Sequence, residues 1–472
     1  MALLVLGLSM NLAAQTTAQP PDTAPAPAFG QNSPILSPEN PPVTGLDEPA
    51  LDLRSASRSF ISPAFQVSES ADTNGRNILG GGGGLASVTR VLGAVDLQQF
   101  WRKSDLFVEY LGGGAFYANP YSAEQLHSAG AEGVTRWRTG QATLRDSFSY
   151  LPDGSFQIGF GGLPGIGLAN GGGASFGAGG GVPGTHFFGS GDFGAVANIP
   201  RLANTGVLDI VQAISPVSAF TVAGGFSNAH FFDSTTELLN GKYVPVLVNS
   251  DELTIEGGYS HLINRHDQIG FVYAFQLFQF PASTGGQIYI DVVNLRYSHT
   301  ITNRLSFLMG VGPQYTKLEV GGYTTHWSAS GRAQLRYKVR HGSLALSYEK
   351  FTSSGSGLFG GANVQAARLA YTRPVGRTWE LYADLGYSHN TAIQANPTVA
   401  ATGFDSGSAG AIMRKHLGRA IDFFGTYRFG ELALQSPTDA GSCIPGQGCG
   451  RISQRQVGAI GMEWHPRPTR IE

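Results

Sequence analysis

The chain has 472 residues, 66 of them Gly, and only 14% are charged, where soluble proteins carry about 25%. A hydrophobic content of 42% excludes a disordered chain, the glycines follow no collagen period, and two cysteines exclude a cysteine-rich metal protein. With 31 basic against 33 acidic residues the net charge is -2, so no basic footprint points to nucleic acid.

The N-terminus opens with Ala2-Leu3-Leu4-Val5-Leu6-Gly7-Leu8, too short to span a bilayer as a helix. It fits the apolar region of a secretory signal over residues 1–18, with small residues at Ala13 and Ala14 for cleavage. That signal lacks a positive start, since no Lys or Arg precedes Arg54. Residues 19–56 are rich in Pro, Ala, Ser and Thr and read as an extended periplasmic linker.

From residue 57 onward the side-chain period is 2. In Trp379–Tyr387, Trp379, Leu381, Ala383, Leu385 and Tyr387 share one face while Glu380, Asp384 and Gly386 lie on the other. The same alternation runs through Trp327–Tyr337, Leu305–Val311 and Ile421–Phe429. Arginines at 265, 304, 340, 377 and 419 mark turns 39, 36, 37 and 42 residues apart. Each period therefore holds two strands of about 10–14 residues, a length suited to crossing a membrane and too long for a propeller blade. Short connections are expected near 101–104, 150–154, 215–217, 264–267, 300–304, 339–342, 374–377 and 418–419. Longer ones are expected near 71–84, 119–133, 162–204, 233–250, 281–286, 317–324, 353–361, 391–403 and 432–450.

This pattern predicts an all-β fold: a closed antiparallel transmembrane barrel over residues 57–472, with 18 strands, or 16 if the ends are miscounted. Pro63 makes the first strand the weakest assignment, because proline cannot donate to a ladder. Tyr259, Tyr297, Tyr337, Tyr371, Trp379 and Tyr387 lie near the ends of their runs, as interfacial aromatics should. The signal-like start, Pro-rich linker, Asn-Arg and Gly-Arg turns and final strand ending at Trp464 resemble a Gram-negative outer-membrane β-barrel of the porin-like type. The resemblance implies short periplasmic turns, long extracellular loops and a location in the cell outer membrane. It also implies partners in outer-membrane lipid, the barrel insertion machinery and small solutes, with room for a homo-oligomer. The family's chain usually ends at the terminal aromatic, whereas here His465–Glu472 follow Trp464.

The polar faces supply the candidate pore lining: Glu252, Glu256, Arg296, Arg332, Arg336, Glu349, Arg368, Glu380, Asp384, Arg414, Asp422 and Arg428. Glu463 and Arg455 belong to the same faces. Arg332 or Arg336 could meet Glu349, and Arg368 could meet Asp384. Two readings stay open, a mutually neutralising network that supports the wall and a charged pore that selects solutes. The glycine-rich stretch 162–204 is either a surface loop or an inward constriction. Its Gly189–Gly194 run matches a dinucleotide fingerprint without the strand and helix that would give it meaning. Cys443 and Cys449, close together in the last long loop, read as a local disulfide.

No enzyme, cofactor or metal is expected. Tyr259-Ser260-His261, Tyr297-Ser298-His299 and Tyr387-Ser388-His389 place Ser and His on opposite faces, so neither can serve the other as base and nucleophile. The function expected is a porin-like channel for passive diffusion of small hydrophilic solutes. The alternatives are a structural or surface-interaction barrel with a plugged lumen and the outer-membrane channel of an export system.

Overall fold

A computed structural model describes residues 59–73, 85–118, 121–151, 201–232, 235–237, 243–245, 248–281, 286–319, 323–340, 342–353, 359–376, 378–394, 402–418, 420–435, 452–464, 466 and 469–471. The strands are β1 (Phe60–Asp72), β2 (Ala86–Phe100), β3 (Ser104–Ala118), β4 (Tyr121–Trp137), β5 (Gly140–Leu151), β6 (Arg201–Ser215) and β7 (Ser218–Phe231). A short hairpin, β8 (Thr235–Glu237) and β9 (Tyr243–Pro245), forms a separate pair. Next come β10 (Ser250–Leu262), β11 (Asp267–Gln279), β12 (Gln287–Thr302), β13 (Leu305–Glu319), β14 (Tyr323–Val339) and β15 (Gly342–Ser353). The chain ends with β16 (Gly360–Val375), β17 (Trp379–Gln394), β18 (Gly403–Leu417), β19 (Ile421–Gln435), β20 (Ile452–Trp464) and the two-residue β21 (Thr469–Arg470).

Consecutive long strands pair antiparallel, β7 passes directly to β10, and β1 pairs with both β2 and β20. Among the described residues no helix is long and apolar enough to cross a membrane. Turn chemistry explains the tight connections. Asn264 Oδ1 accepts from the backbone N–H groups of His266 and Asp267 at 2.7 and 3.0 Å, closing the β10–β11 turn. Thr302 Oγ1 does the same for Arg304 and Leu305 at 3.2 and 3.0 Å. Gly376 and Gly418 take φ of 75° and 79°, the left-handed geometry that a side chain would strain.

Pro63 sits inside β1, opposite Val95 of β2. On the other edge of β1, β20 pairs from Phe65 to Asp72 and β21 pairs with Phe60 and Ile61, so Pro63 falls between those two partners. Residues 469–471 thus return to the sheet, where the Ile471 N–H donates to the Ser59 carbonyl at 3.1 Å.

One stretch departs from the sequence expectation. Of the connection placed at 119–133, residues 121–133 are instead in strand β4, and residues 150–151 of the short turn placed at 150–154 end β5; a tight turn lies at residues 138–139. Ser128, Ala129, Gly130, Ala131 and Gly133 carry too little apolar contrast for alternation to show, although they pair fully with β3 and β5. Residues 201–204, expected in the long loop, open β6. The remainder of that loop, the Gly189–Gly194 run, Cys443, Cys449 and the N-terminal segments expected over 1–56 lie outside the described residues.

Alternation gives the sheet two unlike faces. Leu253, Ile255, Val222, Phe271, Leu295, Val311, Leu346 and Leu385 stand on an exposed face. Trp137, Tyr259, Tyr337, Trp379 and Trp464 are exposed on that face near the short-turn ends, and Phe116, Tyr323 and Trp327 near the long-loop ends. Tyr387 shares the face but sits midway along β17 rather than at its end. Polar side chains such as Gln66, Thr254, Ser260, Asn294 and Ser388 lie buried on the opposite face. An apolar face that is 53% exposed at Ile255 has no water-facing rationale, but it suits acyl chains. Replacing Ile255 with Arg should therefore lower stability in lipid vesicles by about 2–4 kcal/mol, read from urea titration of the folded band on cold gels. A loss near zero would show that this face does not meet lipid.

Candidate functional site

The candidate site is the buried, charged face of the sheet. Cross-strand partners share a face, so the register fixes what each strand contributes. All twelve candidate lining residues fall on this face in the register. Glu252, Glu256, Arg296, Arg332, Asp384, Arg414 and Asp422 are buried; Arg336, Glu349, Arg368 and Arg428 are half-buried. Glu380 pairs with Arg414 in the β17–β18 ladder, and its side chain lies outside the described residues.

Several of these groups meet. Arg332 on β14 is directly opposite Glu349 on β15, with Nε 3.1 Å from Oε1. Asp384 on β17 is engaged by Arg428 from two strands away, Nη2 to Oδ1 at 2.7 Å. That reach passes over Gly410 of β18, where an added Cβ would lie 2.3 Å from Arg428 Nε and 2.9 Å from Asp384 Oδ1. A glycine on the middle strand is thus the condition for this ion pair. At the short-turn end Arg414 lies 3.9 Å from Asp422 and 3.8 Å from Glu463, while His416 Nδ1 lies 2.8 Å from Asp422.

The sequence reading missed a second group. Arg145 on β5 pairs with Asp209 on β6 and lies 3.7 Å from Glu132 on β4, and Arg136 is 2.6 Å from Asp105. These residues sit in and around the stretch whose register was misjudged, so their common face could not be recognised. Their inclusion changes the charge picture. Among the described side chains on this face, β3 to β10 carry the carboxylates Asp105, Glu124, Glu132, Asp209, Glu252 and Glu256 against Arg136 and Arg145. From β12 to β20 the arginines 296, 332, 336, 368, 414, 428 and 455 outnumber Glu349, Asp384, Asp422 and Glu463. One flank is therefore acidic and the other basic.

Across the junction of first and last strands, Arg455 Nε donates to Asp72 Oδ1 at 3.0 Å and Nη2 donates to Oδ2 at 2.5 Å, and both side chains are buried. Two donors of a fixed planar fork on one carboxylate give this pair geometric as well as electrostatic specificity.

On the exposed face the three Tyr-Ser-His triplets recur as a clamp. Tyr297 and His299 converge on Asp267 at 2.5 and 2.7 Å, and Tyr387 and His389 on Asp405 at 2.7 and 2.8 Å. Tyr259 and His261 converge instead on Ser218, at 3.1 and 2.8 Å. The intervening Ser260 and Ser388 are buried on the other face, so no triplet assembles a nucleophile with its base.

No protein-family model and no curated protein matches the chain. Similar solved structures include Pseudomonas aeruginosa OpdQ, with 9% identity and a TM-score of 0.39 over 87% of this chain and 98% of that one. The ferric-catecholate import receptor Fiu from E. coli K12 shares 8% identity, with a TM-score of 0.41 over 89% of this chain and 83% of that one. P. aeruginosa OccK2, solved in complex with glucuronate, shares 9% identity, with a TM-score of 0.39 over 87% of this chain and 98% of that one. The chain's eighteen long strands are 12–17 residues long, antiparallel, apolar on the exposed face and edged by aromatics, the pattern of a membrane-spanning sheet.

The Asp72–Arg455 pair yields a stability test. Arg455→Ala removes the bidentate partner of a buried carboxylate and should cost about 3–5 kcal/mol in urea unfolding from vesicles. The apolar double variant Asp72→Leu with Arg455→Met should recover most of that loss. Equal stability of wild type and Arg455→Ala would show that the pair contributes nothing to holding the two strands together.

Proposed function

We propose that the eighteen long strands close into a barrel that conducts small hydrophilic solutes passively across the outer membrane. The observation that carries this reading is the composition of the buried face. A barrel that needed only a filled interior would be as stable, or more so, with apolar side chains in place of paired charges. Instead the interior keeps arginines and carboxylates from β1 to β20, sorted into an acidic and a basic flank. Eighteen strands suffice to surround an aqueous passage. Solutes move down their gradient past these flanks, with no cofactor and no covalent step. Lipid and the insertion machinery are the partners this reading requires, and association of several barrels is compatible with it.

A plugged barrel is the second reading, and one observation favours it: many of the described inward side chains are buried, with Ile288, Asn294, Ser388 and Glu463 at 0% exposure. Single-channel recording of the refolded full chain in planar bilayers separates the two. Discrete, reproducible steps are expected, and Arg332→Glu should shift ion selectivity towards cations. Folded protein that inserts and stays silent would end the channel reading, and steps of unchanged selectivity in Arg332→Glu would remove the basic flank from the passage.

A further inference from the structure

On β12 the buried face runs Ile288, Ile290, Val292, Asn294 and Arg296 from the long-loop end towards the short-turn end, three apolar groups, an amide and then a guanidinium. The apolar three form a cluster with Phe278 of β11, and Ile393 of β17 packs against that cluster. Ile393 belongs to a strand five places away. Gly361, on β16 and four places away, is closer still: a Cβ built there would lie 2.4 Å from Ile288 Cδ1. Four strand spacings of about 4.8 Å amount to about 19 Å along the sheet, so these groups meet across the interior and not along the wall.

The backbone is shaped for this approach. The β16–β17 ladder pairs Gly360 with Gln394 and Ala362 with Ala392, and the rung between them, Gly361 opposite Ile393, is absent. Gly361 takes φ of +82°, so both its conformation and the space beside it demand the missing side chain.

We propose that Ile288, Gly361 and Ile393 form the constriction of the channel and set its selectivity, favouring small organic solutes with an apolar flank over compact polar solutes and inorganic ions. The proposal rests on the channel reading above. A hydrated ion entering this junction must shed water among groups that offer no hydrogen bond, whereas a solute with a hydrocarbon side loses little there. Beyond the junction the same strand presents Asn294 and Arg296, where the polar end of such a solute regains partners.

The test uses the refolded full chain, with folding checked by heat-modifiable gel mobility. Two readouts are taken: KCl conductance in planar bilayers, and efflux of leucine and glycine, zwitterions differing in their apolar side, from preloaded liposomes. Wild type should pass leucine faster than glycine and give small KCl steps. Ile288→Asn should enlarge those steps severalfold and abolish the leucine preference. Ile288→Val, which keeps the fold's apolar contact but removes one methylene, should move both readouts in the same direction by less. Conducting wild type with identical steps and solute ratios in these variants would overturn the constriction and leave the channel standing. Efflux and current absent from wild type and from every folded variant would overturn the channel itself.

Discussion

Hydrocarbon offers a backbone amide no hydrogen-bond partner, so each strand that crosses it must have a neighbour on both edges. Most of what is unusual at the ends of this chain follows from that requirement. β1 has β2 on one edge, and on the other it needs two separate pieces, β20 and then β21, to cover its length. Pro63, which has no N–H to satisfy, occupies the interval between them. Thr469 and Arg470, beyond Trp464, accordingly supply rungs that β20 does not reach. At the opposite end of the same junction the buried Asp72–Arg455 pair adds a side-chain contact where the ladder starts.

Once the backbone is satisfied, lipid dictates only the outward face, and the inward face is free to carry polar groups. The strands use that freedom in a regular way. Long guanidinium groups reach a carboxylate on the next strand, as Arg332 reaches Glu349, or cross a strand whose inward residue is glycine, as Arg428 crosses Gly410 to Asp384. The sorting of acids towards β3–β10 and arginines towards β12–β20 does not follow from pairing alone, because local pairs would be satisfied by any arrangement. It produces a field across the interior, which acts on any solute with separated charges.

Much of this was legible in the sequence. Strands β10 to β20 carry strong alternation and arginine-marked turns, and reading their polar positions placed Arg332 beside Glu349 correctly. Between residues 119 and 154 the signal failed for a physical reason: small residues such as Ala129, Gly130 and Ala131 pair in a sheet as well as large ones but leave no hydrophobic period. That failure hid Glu132 and Arg145, and with them the acidic flank. The partner chosen by Asp384 was also beyond reach, since a contact spanning two strands depends on which intervening residue lacks a side chain. The contact between Ile288 and Gly361 depends on the curvature of the whole sheet, which no local window contains.

That contact is also the place where two demands on the interior coincide. Along much of the inner face, hydrogen bonds and ion pairs between strands leave the outward contacts untouched. At Ile288 the wall packs against strands four and five places along it, with Ile288 buried at one end of the contact and Ile393 partly buried at the other. Burial of this kind stabilises in proportion to the surface removed from water, while any passage needs part of that surface back in contact with water or solute. On the channel reading proposed above, stability and permeation are therefore opposed at this junction, and one substitution there should move them in opposite directions. The ion pairs further along the wall are under no such conflict, because opening a path beside them replaces protein partners with water and leaves the charges solvated.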